Sequence, residues 1–187
     1  MEAFLVSTGL VALAEIGDKT QLLSLVLAAR LRRPGAITAG ILVATLLNHA
    51  LAGAVGRWVA ALAGPDVLRW GVGLAFLAMA LWVWIPDKLD ESDEPKSHAS
   101  AFVTTLIAFF LAEMGDKTQI ATVALAARYP SLPAVVAGTT LGMMLANVPV
   151  VLAGHRFAGR LPLRWIRGVT SALFAGLGAV ALLGSAP

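Results

Sequence analysis

The chain has 187 residues, of which 58% are hydrophobic and only 13% charged, and its mean hydropathy is +0.82. A soluble domain carries roughly 25% charged residues, so this composition excludes an ordinary soluble enzyme and points into lipid. The net charge of +3 does not indicate nucleic acid, because the arginines sit at the ends of apolar runs, and the absence of cysteine excludes disulfides and thiolate-bound zinc, iron-sulfur or copper.

Apolar runs fall at about 3 to 29, 35 to 57, 67 to 86, 101 to 127, 133 to 155 and 164 to 184. Each approaches or exceeds the roughly 20 residues that cross a hydrocarbon core, which predicts six transmembrane helices in an all-α membrane protein. In the first run, Ala12-Leu13-Ala14 resembles a signal cleavage site, but the start lacks a positive region and Leu-Ala-Glu recurs at residues 111 to 113. The segment is therefore expected to be retained. Between the third and fourth runs, an acidic stretch from Asp87 to Lys96 cannot bury enough apolar surface to fold and reads as a solvated linker.

The two sides of that linker repeat one another. Ala14-Glu15-Ile16-Gly17-Asp18-Lys19-Thr20-Gln21 returns 98 positions later as Ala112-Glu113-Met114-Gly115-Asp116-Lys117-Thr118-Gln119. The register persists through Leu27-Ala28-Ala29-Arg30 with Leu125-Ala126-Ala127-Arg128, Gly40 with Gly138, Gly56 with Gly154, and Arg69 with Arg167. The chain thus divides into a three-helix repeat at 1–86, an acidic linker at 87–100 and a second three-helix repeat at 101–187. Three spans per half is an odd number, so the second copy is expected to enter from the opposite side, as an inverted repeat. The unmatched Arg32, Arg33, Lys88, Lys96, Arg160 and Arg164 all lie on the face of the first, third and fifth connections, which makes that face cytoplasmic and puts both termini outside.

Four carboxylates, Glu15, Asp18, Glu113 and Asp116, lie halfway along the first and fourth runs. An acid at that depth costs roughly 2.5–3.5 kcal/mol on insertion scales and normally faces a protein interior or aqueous cavity. On continuous helices the i,i+3 spacing puts each Glu and Asp on one face, with Gln21 or Gln119 beside them. Two such strips of oxygen ligands could enclose a hard divalent cation. A purely structural reading has Lys19 and Lys117 neutralise the acids of their own helices. Two lysines against four acids leave a formal charge of minus two, which a divalent ion balances. Gly17 and Gly115 admit two readings, an unwound helix or a packing notch. Asn48 and Asn147 could lend a carbonyl oxygen to the ion or bond between helices, whereas His49, Met143 and Met144 read as packing residues.

Two copies of E-x-G-D-K-T, each inside an apolar span, resemble the cation/proton antiporter family once catalogued as uncharacterised protein family 0016, with members in bacteria, chloroplasts and the Golgi. The resemblance covers essentially the whole chain, with Glu15, Gly17, Asp18, Lys19 and Thr20 and Glu113, Gly115, Asp116, Lys117 and Thr118 all matching. It implies exchange of manganese, or calcium, for protons, with the four acids binding the ion and no resident cofactor. The short connections resemble bacterial members, which export manganese and sit in the plasma membrane. The alternatives are an intramembrane aspartyl protease using Asp18 and Asp116, and a divalent cation channel. The E-x-G-D sequence departs from that protease class, which has G-x-G-D. Oligomeric state is not encoded in any motif.

Overall fold

The computed structural model describes residues 1–85, 100–153 and 163–183, and every regular element among them is helical. In chain order these are α1 (Glu2–Glu15), α2 (Lys19–Leu31), α3 (Pro34–Leu62), α4 (Pro65–Trp82), α5 (Ala101–Glu113), α6 (Lys117–Arg128), α7 (Leu132–Ala153) and α8 (Leu163–Leu183). Three of them, α3, α7 and α8, are long and apolar enough to cross a bilayer by themselves. The linker expected at 87–100, with Lys88 and Lys96, lies outside the described residues apart from Ser100, which caps α5. Gly154, Arg156 and Arg160 lie outside them as well.

The first and fourth runs are not the continuous helices that their apolar length suggested. Each breaks at its polar motif into two short helices, α1 with α2 and α5 with α6. The cause is local. Gly17 has φ +83 and Gly115 φ +77, in the left-handed region that an L side chain enters only under strain. The next residue, Asp18 or Asp116, is extended, and its carboxylate caps the helix that follows. Proline marks two other starts: Pro34 and Pro65 occupy the first turns of α3 and α4, where no backbone donor is missed. Arg32, at φ 52, closes α2 by turning its N–H back to the Ala28 carbonyl.

Packing runs between the halves rather than within them. Helix α1 lies along α7 and α5 lies along α3, while α4 and α8 pair with each other. The contacts recur under the 98-residue displacement. Gly138 lets α7 approach Phe4 and Ser7 so closely that an added Cβ would stand 2.5 Å from the Phe4 carbonyl oxygen. Gly40 does the same for α3, with Phe102 and Thr105 in the corresponding places. Phe76 and Phe174, themselves 98 positions apart, meet with ring centroids 6.2 Å apart, and Ser171 Oγ donates to the Ala80 carbonyl at 2.7 Å. Leucine and tryptophan side chains such as Leu46, Leu51, Trp58, Leu81, Leu145 and Trp165 point outward, an exterior suited to lipid.

Close approach at glycine gives a direct test. Gly138→Ala and Gly40→Ala should each destabilise the protein by about 1–3 kcal/mol, the usual cost of forcing a methyl into a packed contact. Gly9→Ala, which meets nothing within 4 Å, should not. Unfolding midpoints of the purified variants in detergent measure the difference.

Candidate cation site

The two breaks meet inside the protein. Glu15 is the last residue of α1 and Glu113 the last of α5, both with no exposed surface; Asp18 and Asp116 begin α2 and α6 and are buried too. Glu and Asp of one motif therefore flank a break instead of sharing a helical face, which corrects the i,i+3 strip expected from the sequence. The reason is the glycine between them, whose left-handed backbone turns the chain out of helical register. Helix N-termini, with their partial positive charge, begin beside these acids.

One oxygen from each of Glu15, Glu113 and Asp116 lies within 4.8 Å of the others. Oxygens on opposite sides of a calcium-sized ion, bound at about 2.3–2.6 Å, stand that far apart. Thr20 Oγ1 donates to Glu15 Oε2 at 2.5 Å, and Thr118 Oγ1 donates to Glu113 Oε2 at 3.1 Å. The other oxygen of each glutamate, Oε1, is buried with no hydrogen-bond partner among the described residues. A buried carboxylate oxygen left this way fits a site completed by a cation, because such atoms are otherwise nearly always partnered.

The lysines cross between repeats. Lys117 Nζ stands 3.1 Å from Asp18 Oδ2, and Lys19 Nζ stands 4.0 Å from Asp116 Oδ1. Each neutralises an aspartate of the other half, not an acid of its own helix as the structural reading of the sequence supposed. The first pair is the more enclosed, with the Lys117 side chain 5% exposed against 21% for Lys19. Asp18, engaged by Lys117, does not belong to the converging trio.

The glutamines are placed differently from the acids. Gln21 Oε1 accepts from the Gly17 N–H at 3.0 Å and Gln119 Oε1 from the Gly115 N–H at 2.8 Å, which satisfies the backbone at each break. Their amide nitrogens reach across the repeats, Gln21 to the Ala146 carbonyl and Gln119 to Asn48 Oδ1. Asn48 in turn donates to the Phe110 carbonyl. Asn147 accepts from Ser24 Oγ at 2.8 Å and donates to the carbonyl and sulfur of Met143. Met144 packs against the buried apolar cluster that includes Leu23, Leu27, Ile41 and Phe109. His49 is wholly buried with neither nitrogen hydrogen-bonded among the described residues, and it occupies the repeat position of Asn147. Thr20, Thr118 and Ser24 escaped the sequence reading as site residues. The signal was present for the threonines, since both motif copies keep a Thr five positions after the Glu.

Discontinuous helices that bring buried acids and crossed lysines together define a helical membrane transporter of cations. The chain belongs to the divalent cation/proton antiporter GDT1 family, whose model matches residues 3–91 and 101–187. It is similar to a protein of Vibrio cholerae named "Putative manganese exporter", at 56% identity over 93% of this chain and 87% of that one. It is also similar to GDT1-like protein 3 of Oryza sativa subsp. indica, at 29% identity over 94% of this chain and 71% of that one. A GDT1-like protein of Synechocystis shares 28% identity over 93% of each chain. No solved structure matches significantly. The family is one of transporters, so the protein is not an enzyme and the aspartyl protease alternative falls.

The two breaks should respond unequally to substitution. Gly17→Ala and Gly115→Ala each force an L side chain into a left-handed backbone, at about 1–2 kcal/mol. A Cβ at Gly17 would also stand 2.7 Å from a Leu163 methyl, while at Gly115 it meets nothing within 4 Å. Thermal unfolding should therefore show the larger loss for Gly17→Ala.

Proposed function

We propose that the protein exports manganese from the bacterial cytoplasm in exchange for protons, with calcium the second candidate cation. The observation that carries this is the convergence of Glu15, Glu113 and Asp116 at two helix breaks, with a glutamate oxygen left over on each side. Family membership supports proton exchange of a divalent cation, and the name of the Vibrio cholerae relative supports manganese and its direction. The bacterial relative and the apolar exterior support a plasma-membrane location.

The reading includes six spans, with α1 and α2 together forming the first and α5 and α6 the fourth. The halves enter the membrane from opposite sides and both termini face outward. Contacts that recur under the 98-residue displacement, together with the antiparallel α4–α8 pair, support the inversion. The Arg and Lys distribution supports the orientation. On this scheme the acids lie near the midplane, where transporters commonly place their ion sites at broken helices. Glu15, Glu113 and Asp116 hold the cation, and Asp18 joins them or is held by Lys117. Gln21 and Gln119 stabilise the breaks, while Asn48 and Asn147 tie the site to α3 and α7. A cation needs deprotonated oxygens, so binding releases protons and protons displace the ion, which gives exchange at one shared site.

Purified protein in proteoliposomes, given manganese, calcium or magnesium under an imposed pH gradient, tests this directly. Inward proton flow should drive manganese outward. Glu15→Gln, Glu113→Gln and Asp116→Asn should each abolish flux while the protein remains in the membrane; near-normal flux in any two would remove the shared site. Asp90→Asn and Glu94→Gln should be silent.

Proton release gives a second measurement. Manganese affinity should weaken as pH falls from about 8 to about 6, because protons compete for the same oxygens. Calorimetry in buffers of different ionisation enthalpy counts the protons displaced. Affinity flat with pH would leave a uniporter or channel as the better reading.

A further inference from the structure

The two repeats are not in equivalent surroundings, and the differences form a pattern. Helix α4 packs on α6 and α8 packs on α1, but the repeat-related pairings, α8 with α2 and α4 with α5, are at most marginal. The α4–α8 pair is thus displaced from the symmetry that the other contacts obey. At the first break, the Leu163 side chain at the start of α8 lies against Gly17, and Arg167 lines the same small cavity as Gly17, Asp18 and Lys117. At the second break, Gly115 is exposed, Met114 is 58% exposed, and nothing, the exposed Pro65 that is the repeat counterpart of Leu163 included, lies within 4 Å of a Cβ added at Gly115. The lysine pairs differ in the same sense. Where the break is covered, Lys117 holds Asp18 at 3.1 Å; where it is open, Lys19 stands 4.0 Å from Asp116, and Asp116 joins Glu15 and Glu113.

We infer that this is one of two states related by exchange of the repeats, in which tilting of the α4–α8 pair covers one break while the opposite repeat's lysine withdraws that break's aspartate. In the other state α4 covers Gly115, α8 moves from α1 to α2, Lys19 holds Asp116, and Asp18 joins Glu15 and Glu113. The two glutamates serve in both states and the aspartates alternate. Lys19 and Lys117 are then positioning residues that couple the gate to the ion site. The tight Phe76–Phe174 contact and the Ser171–Ala80 hydrogen bond let α4 and α8 move as one body. Antiparallel starts of α4 and α8 put the two covers at opposite ends of the pair, so one face opens as the other closes. A two-position element of this kind is what a bistable interface requires.

This inference rests on the transport reading, but its test needs no flux. The chain has no cysteine, so Ile16→Cys and Met114→Cys report the two breaks separately by their rates of reaction with a water-soluble maleimide in nanodiscs. Met114→Cys should react faster. Adding Lys117→Gln should slow Met114→Cys and speed Ile16→Cys by about tenfold, because losing the Lys117 ion pair leaves the buried Asp18 carboxylate with less compensating charge and disfavours the present state. Asp18→Asn should shift the rates the same way, and Leu163→Ala should speed Ile16→Cys without any change of charge. Lys19→Gln should keep or widen the original order. The inference is overturned if Lys19→Gln shifts the rates in the same direction as Lys117→Gln. It is equally overturned if neither Lys117→Gln nor Asp18→Asn moves them. Loss of metal uptake with the labelling pattern intact would count against the transport reading alone.

Discussion

Four carboxylates buried in an apolar protein must find compensating charge or hydrogen-bond donors, and the rest of the structure follows from how they find it. A continuous helix offers its acids no backbone donors, because each N–H is already bonded four residues back. Breaking the helix at Gly17 and Gly115 releases donors at the starts of α2 and α6, and Asp18 and Asp116 accept from them. It also turns Glu15 and Glu113 inward from the ends of α1 and α5, where Thr20 and Thr118 each satisfy only one of their oxygens. The remaining oxygens are left for a ligand of opposite charge.

Compensation is shared across the halves, and so is the packing. Lys117 serves Asp18, Gln21 reaches Ala146, Ser24 reaches Asn147 and Gln119 reaches Asn48. Small residues permit this interleaving, as where Gly40 and Gly138 admit the backbones of α5 and α1. Each half therefore finds most of its partners in the other. A half on its own would leave its Gly40 or Gly138 notch and its buried aspartate without their counterparts.

The polar network around the acids grades outward from charge to neutral amide. Among the described residues, Asn48 and Asn147 hydrogen-bond to no carboxylate. They anchor Gln119 and Ser24, and through these the motif helices, to α3 and α7. His49 stands at the repeat position of Asn147 without its hydrogen bonds, so the network is less symmetric than the motif itself. A pseudo-symmetric site built from unequal surroundings can be stable in one arrangement and still have a second arrangement close in energy.

The sequence by itself determined the helical membrane class, the six apolar runs, the doubled motif and the four acids, because composition, run length and an internal repeat at a fixed spacing are properties of the chain alone. The helix starts at Pro34 and Pro65 are local as well, since proline fits a first helical turn. The breaks at Gly17 and Gly115 were only half legible: a glycine inside an apolar run is compatible with a packing notch, and its φ is chosen by what surrounds it. Tertiary structure decided that Gln21 and Gln119 turn their oxygens to the backbone, that the lysines cross to the other repeat, and that Asp116 but not Asp18 converges with the glutamates. The crossed lysines and the convergence of Asp116 depend on distances between residues about 100 positions apart, and on the unequal seating of α4 and α8 against the other helices, which a repeated motif does not express.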